Sequence, residues 1–321
     1  MSGVGEASGH GFRQLAEERA SRATRSLAGR PSVSEKLACW IVFIKKCKQR
    51  CYFLQIIMIS FLISIFSLSI LLVFHELGHF ILARLAKIKV EEFGLGLPPR
   101  ILSIKKGETI YSLNIIPFGA FVKMKEDESA DGFNSKSIGI RAAIILGGVT
   151  MNFFIAFIIF LLIFIIGMPS LLMPPGYIGD PLPEIIKYSF HKAPVEALKF
   201  MNFIFFEIMK GLKIAFIKLF TSLDVSSFVG PVGILAIASR GFSQSWVFGL
   251  YIIGLISYAL AIFNFLPIPA VDGGRILFLI IEKIKGKPIS KKTEMWIDNI
   301  SISFLLLLAI LVTIKDFKIF Y

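Results

Sequence analysis

Four stretches of this chain lack any charged side chain, and they constrain the fold more than any other feature. They are Cys51–Phe74, Ala142–Met168, Gly241–Val271 and Asn299–Ile314. A helix needs about 20 apolar residues to cross a hydrocarbon core of about 30 Å. The second and third stretches have 27 and 31 residues, whereas the last has only 16. Because Trp296 and Lys315 flank the last stretch and can lie at the two membrane interfaces, we predict four transmembrane helices.

Composition and charge also indicate a multi-pass protein of the cell membrane. The chain is 55% hydrophobic, which is more than soluble domains usually show. Its net charge of +13 could suggest a nucleic-acid partner. However, ten Lys and Arg residues lie in Arg84–Arg141 and six in Arg275–Lys292, beside the spans. This is the pattern of cytoplasmic loops, so we expect a lipid bilayer and no nucleic acid as the partner.

The N-terminal region differs in composition from the rest. Residues 1–36 are rich in Ser, Gly and Arg without apolar periodicity, and more basic residues follow up to Arg50. We therefore predict a disordered basic extension over residues 1–51 and a membrane domain over residues 52–321. Positive charge on both sides of the first span conflicts with the charge rule, whereas a start at Met58 satisfies it. We expect residues 1–57 to be dispensable.

Two segments between the spans carry their own patterns. Residues 101–124 surround a Lys-Lys-Gly-Glu turn, which predicts a β-hairpin followed by a third strand that bends at Pro117 and Gly119. Ala197–Phe220 places its lysines on one helical face, which predicts an amphipathic helix in the membrane interface. The predicted fold is an all-α polytopic membrane protein, with about four transmembrane helices, a small membrane-associated β-hairpin or sheet and the interfacial helix.

The sequence HELGHF, at residues 75–80, stands where the first apolar stretch ends. His75 and His79 are one helical turn apart, so both imidazoles can bind one zinc ion, and Glu76 can accept a proton from water at the metal. HExxH also arises by chance in soluble helices. A charged group at bilayer depth costs about 2.5–3.5 kcal/mol, however, and such residues normally serve a function.

A catalytic zinc has three protein ligands, so one more is needed. The third apolar stretch ends in NFLPIPAVDGGR (264–275), and Asp272 is its first acidic residue. Pro267 and Pro269 end the helix, and the two following glycines allow a tight turn beside a metal. By itself, Asp272 could equally be an ordinary turn residue where the helix meets water. Together with HExxH, it is our predicted third ligand.

These motifs make the sequence resemble the site-2 proteases, which are intramembrane zinc metalloproteases, and in particular the bacterial type that acts in regulated intramembrane proteolysis. The matching motifs are HELGHF (75–80), FGLGLPPRI (93–101), IPFGAFVKM (116–124), LGGVTMN (146–152), GPVGI (230–234) and NFLPIPAVDGGR (264–275). The resemblance implies Zn²⁺ bound by His75, His79 and Asp272, with Glu76 as the catalytic base. Asn264 would act beside the active site, towards the cytoplasmic side. Substrates would be single-span membrane proteins, such as anti-sigma-factor-like proteins or signal-peptide remnants.

One departure from that family concerns its PDZ domains. Many relatives carry one or two of them between the second and third spans. Here that interval, Pro169–Val229, has 61 residues, and the predicted interfacial helix occupies much of it. The remaining 28 residues, Pro169–Glu196, are too few for such a domain. We therefore expect a PDZ-less member, with residues 52–321 forming the intramembrane metalloprotease domain.

Two other functional classes were weighed against this zinc metalloendopeptidase. A transporter would also place polar groups and broken helices at mid-membrane, but it should show inverted repeats, and none are visible. An inactive scaffold of the same fold should have lost a ligand or the base, and both are present. The predicted reaction is hydrolysis of peptide bonds within or near the transmembrane helices of other proteins.

Overall fold

A computed structural model describes residues 33–170 and 185–320, together with Glu18. The predicted disorder of residues 1–32 and most of the loop after Pro169 fall outside the described residues. The chain divides into two compact units, residues 1–56 and 57–321. The second unit contains all four candidate membrane spans.

Seven helices are described, and four of them are long and apolar enough to cross a membrane. The seven are α1 (Val33–Leu85), α2 (Ile138–Ile166), α3 (Ala193–Ser222), α4 (Pro231–Gln244), α5 (Trp246–Phe265), α6 (Asp272–Lys285) and α7 (Lys291–Phe320). The candidate spans are α2, α5, residues 58–85 of α1 and residues 291–318 of α7. This confirms the four predicted transmembrane helices. The last span is longer than its uncharged stretch because the helix continues past Trp296 and Lys315.

Helix α1 begins earlier than the sequence suggested. It starts at Val33, so residues 33–51 of the predicted disordered extension are helical. The chain has neither glycine nor proline between Pro31 and Gly78. Because these are the residues that interrupt helices most strongly, nothing in this stretch stops the helix from extending towards the N-terminus.

The sheet also begins earlier than predicted, at Val90 rather than at residue 101. Strands β1 (Val90–Lys106) and β2 (Thr109–Met124) form a hairpin. Glu92 lies opposite both Ile110 and Lys123, so the first part of β1 lies between two parts of β2. The predicted separate third strand is therefore the end of β2. Gly96 and Gly119, with φ of 78° and 88°, allow both strands to fold back in this way.

The main core lies where α2, α3 and α5 pack together. Phe160 and Phe164 of α2 are buried against Phe200 of α3, with edge-to-face ring centroids 5.0 and 5.6 Å from Phe200. Two short strands, β3 (Met168–Pro169) and β4 (Ile185–Ile186), pair antiparallel next to this core. The helix predicted over Ala197–Phe220 is confirmed as α3, and its position in the membrane interface stays a prediction.

Candidate metal centre

Glycines bring α1 and α2 into backbone contact beside the two histidines. A Cβ atom added at Gly78 would lie 2.1 Å from the carbonyl oxygen of Gly147, and one added at Gly147 would lie 2.6 Å from that of Gly78. Small residues of this kind allow membrane helices to approach closely. The imidazoles of His75 and His79 therefore lie directly against α2.

Asp272 reaches the same place from the other side of the chain. Helix α5 ends at Phe265, before Pro267 and Pro269, and Asp272 lies in the first turn of α6. A Cβ atom at Gly273 would lie 1.9 Å from the carbonyl oxygen of Leu266, so only glycine permits this turn. The predicted roles of the prolines and glycines in NFLPIPAVDGGR agree with this geometry.

The three predicted ligands meet in one buried cluster. The Nε2 atoms of His75 and His79 lie 3.1 and 3.3 Å from Oδ2 of Asp272, and 3.3 Å from each other. The two histidines are 9% and 7% exposed. Zinc at about 2.0–2.1 Å from tetrahedral ligands separates those ligands by about 3.3 Å. Oδ2 of Asp272 is buried and accepts no hydrogen bond from the described residues, so this donor set fits Zn²⁺.

Gly148 of α2 leaves open the space that both imidazoles face. A Cβ atom at this position would lie 2.5 Å from Nε2 of His79 and 2.7 Å from Nε2 of His75. Any side chain larger than hydrogen would therefore enter the region between the ligand atoms. The absence of a side chain here is a requirement of the metal-binding geometry, in addition to the three donors.

The second ring nitrogens of the histidines also have partners on α2. Nδ1 of His79 donates to the carbonyl oxygen of Ile144 at 2.9 Å, which leaves Nε2 free to bind a metal. Nδ1 of His75 lies 3.1 Å from the amide of Asn152, whose Oδ1 lacks a partner within the described chain. Turning that amide by 180° lets Oδ1 accept from Nδ1 and satisfies both groups. Ser257 of α5 donates to the carbonyl oxygen of Asn152 at 2.8 Å and holds it in place.

Sequence analysis did not assign a role to Asn152. A signal was nevertheless present, because Asn152 is the only Asn, Gln or His in the uncharged stretch Ala142–Met168. A fully buried amide at membrane depth needs a partner, and here that partner is a predicted ligand.

Asn152→Ala is expected to weaken zinc binding about 10- to 100-fold, because His75 would lose the acceptor that orients its ring. Competition with a chromophoric chelator measures this. Thr150→Ala is the matched control, since Thr150 lies on the same helix, is exposed and bonds only to the carbonyl oxygen of Leu146. Equal zinc affinity in the two variants would contradict the role of Asn152.

The other two predicted site residues lie close by in the fold. Glu76 is half-buried on α1, and its carboxylate accepts a hydrogen bond from the backbone N–H of Val122 in β2. Asn264 is half-buried in the last turn of α5. Within the part of the chain that is described, no hydrogen bond joins its amide to Glu76 or to the three clustered residues.

Other acidic residues that could compete as ligands are engaged elsewhere. Nζ of Lys125 lies 2.8 Å from Asp131 and 3.3 Å from Asp127. The hydrogen bond from Lys125 lowers the pKa of Asp131 to about 2. Asp180 lies outside the described residues. Among the residues that are described, His75, His79 and Asp272 are the one group of His, Cys, Asp and Glu side chains close enough to hold a metal ion together.

A comparison with protein families decides what this arrangement belongs to. The sequence profile of peptidase family M50 matches residues 63–308, a range that includes all five predicted site residues. The chain belongs to peptidase family M50. This confirms the resemblance to the site-2 proteases, and with it a zinc-dependent metalloprotease of the membrane.

Curated relatives of this M50 peptidase agree with that assignment. A candidate zinc metalloprotease of Clostridium perfringens is 30% identical, in an alignment that covers 79% of this chain and 97% of the relative. A similarly named protein of Clostridium acetobutylicum is 29% identical, with 80% and 97% covered. The regulator of sigma-W protease RasP of Bacillus subtilis is 26% identical, with 77% and 96% covered.

Proposed function

We propose that this zinc metalloprotease hydrolyses peptide bonds within or near the transmembrane helices of single-span membrane proteins. The observation that supports this most strongly is the position of the ligand cluster. His75 and His79 lie inside the span formed by residues 58–85, and Asp272 directly follows another span and its short loop. A peptide bond that reaches this cluster must therefore be presented at membrane depth.

The proposed roles follow from the geometry. His75, His79 and Asp272 hold Zn²⁺, which when bound supplies a Lewis acid that polarises a carbonyl group and acidifies water. Glu76 is adjacent to the ligands and takes the proton from the attacking water, then passes it to the leaving amine. Asn264 offers an amide that can donate to the substrate backbone or to the developing oxyanion.

A helical substrate has to unwind before its carbonyl groups can react, and the sheet offers a place for the unwound segment. Residues 120–124 of β2 pair with the start of β1 on one side only. The N–H of Val122 points away from that pairing towards Glu76. Since residues two apart in a strand point the same way, the N–H of Ala120 is available at the same edge. An extended substrate segment can add there as a further strand, next to the catalytic base.

An apolar cavity of about 360 Å³ between α1 and the sheet supports the same class of substrate. Leu77 and Phe80 of α1 line one wall, and Phe93 and Tyr111 of the sheet line another. Leu77 directly follows Glu76, so the cavity lies beside the base. Transmembrane segments are rich in large apolar residues, and one of these side chains can occupy the cavity.

We propose that the active site is open to water on the cytoplasmic side. The two basic loops, Arg84–Arg141 and Arg275–Lys292, follow the segments that carry the histidines and Asp272. The positive-inside rule places such loops in the cytoplasm. Substrates resembling anti-sigma factors or signal-peptide remnants fit this arrangement, and the relative RasP is itself named as a sigma-W regulator protease.

The proposed function is tested with purified protein in lipid vesicles and a panel of single-span proteins. Fragments mapped by mass spectrometry are expected to end within or next to the apolar segment, and their formation should stop on zinc chelation and resume with added zinc. Glu76→Gln protein is the control for contaminating proteases. Fragments that end only in water-soluble domains would contradict intramembrane cleavage.

Ala120→Pro is expected to lower kcat/KM about tenfold, because the substrate strand loses one backbone hydrogen bond worth about 1–1.5 kcal/mol. Zinc content should stay at the wild-type level. Ala120→Ser keeps the N–H and is the matched control. If proline and serine reduce cleavage equally, the edge at residues 120–124 does not hold the substrate.

A further inference from the structure

A buried ion pair joins α2 to α6 at a distance from the clustered ligands. Arg141 lies in the first turn of α2, and its Nη2 donates to Oε1 of Glu282, in the last turn of α6. Their side chains are 10% and 16% exposed. An exposed pair such as Lys210 and Glu207 of α3, at 68% and 44%, is screened by water, whereas a buried pair is costly to break on one side only.

The apolar contact between the same two helices is incomplete. A cavity of about 320 Å³ lies between them, lined by Ile138, Ala142, Ile276, Leu279, Ile280 and Lys283. Interdigitated apolar side chains normally fix the angle between helices, and a cavity means that part of this constraint is missing. The ion pair is therefore a specific contact that can hold α6 in one orientation against α2.

The same face of α2 supports the whole metal centre. Arg141, Ile144, Gly148 and Asn152 are spaced by three or four residues, so they form one stripe along the helix. Ile144 accepts from His79, Asn152 contacts His75, and Gly148 gives both rings room. Through Glu282, Arg141 adds to this stripe the helix whose first turn carries Asp272.

We propose that Arg141 is a positioning residue for Asp272. Its ion pair with Glu282 orients α6 so that the Asp272 carboxylate reaches the two imidazoles, and zinc affinity depends on that orientation. This inference rests on the proposed role of Asp272 as a zinc ligand.

The test measures the dissociation constant of Zn²⁺ with a chromophoric chelator and the visible absorption of the Co²⁺-loaded protein. Glu282→Gln and Arg141→Gln should each bind zinc about 10- to 100-fold more weakly, as is usual when a group that orients a ligand is lost. Their Co²⁺ spectra should change as well. The double variant Arg141→Glu with Glu282→Arg restores the pair and should recover most of the affinity. Glu207→Gln removes an exposed pair and should behave as wild type.

Asp272→Ala separates failure of this inference from failure of the proposed function. If Asp272→Ala loses zinc while Glu282→Gln binds it normally, Arg141 does not position the ligand. A lower melting temperature with unchanged zinc affinity would likewise overturn the inference, because it shows a purely structural role. If Asp272→Ala keeps its zinc, the proposed ligand set is wrong instead. Should the single variants not fold, weak zinc binding by the folded double variant overturns the inference and recovered binding supports it.

Discussion

Glu76→Gln is expected to reduce peptide hydrolysis about 10²- to 10⁴-fold while zinc content, fold and substrate binding stay unchanged. The reason is that general base catalysis contributes rate enhancement of this size. Glutamine has the shape of glutamate but cannot accept the proton from water. Glu76 lies outside the cluster of His75, His79 and Asp272, so the zinc ligands remain complete. Cleavage rates of a single-span substrate and zinc per protein by mass spectrometry test both parts.

Glu76→Asp is the matched control for this variant. It keeps the charge but shortens the side chain, so it should retain more activity than Glu76→Gln. Loss of zinc in Glu76→Gln would make Glu76 a ligand rather than the base. Turnover close to the wild-type rate would remove the residue from catalysis altogether.

Asp272→Ala, His75→Ala and His79→Ala are each expected to lose zinc and activity together. Each substitution leaves two protein ligands, and the affinity should fall by more than the roughly 10- to 100-fold typical of residues that only orient a ligand. The link between α1 and the end of α5 depends on Asp272, which makes this variant the most informative. Zinc per protein after dialysis against a weak chelator provides the measurement.

Asp131→Ala is the carboxylate control for these variants, because Asp131 is held by Lys125 and Ser129 in a loop. Its zinc content should equal that of the wild type. Full zinc occupancy in Asp272→Ala would exclude Asp272 from the coordination sphere. It would also remove the basis for placing the third span beside the first.

The sequence predicted the membrane helices and the metal-binding cluster because both depend on local patterns. Uncharged stretches report the cost of a charge in lipid, and HExxH places two imidazoles on one face whatever the rest of the fold does. Asp272 could be predicted because few acidic residues end an apolar stretch. In each case, a requirement of the membrane or the metal is written in consecutive residues.

The features that escaped prediction depend on contacts between distant residues. Arg141 and Glu282 are separated by 141 positions, and each resembles an ordinary charge beside a span. The path of the sheet depends on Glu92 lying between Ile110 and Lys123, and periodicity within one strand carries no information about such pairing. The carbonyl oxygen of Ile144 is a backbone atom, so no residue type marks its role.

The backbone contact between Gly78 and Gly147 has a consequence for how a substrate enters. The two helices touch without intervening side chains, so they have no soft layer along which to slide. The same stripe of α2 holds both imidazoles and, through Arg141, the helix that carries Asp272. These three helices therefore behave as one rigid body, and any displacement that admits a transmembrane helix has to come from elements around it. Admission and chemistry are thus separate events, and variants can slow the first without disturbing the second.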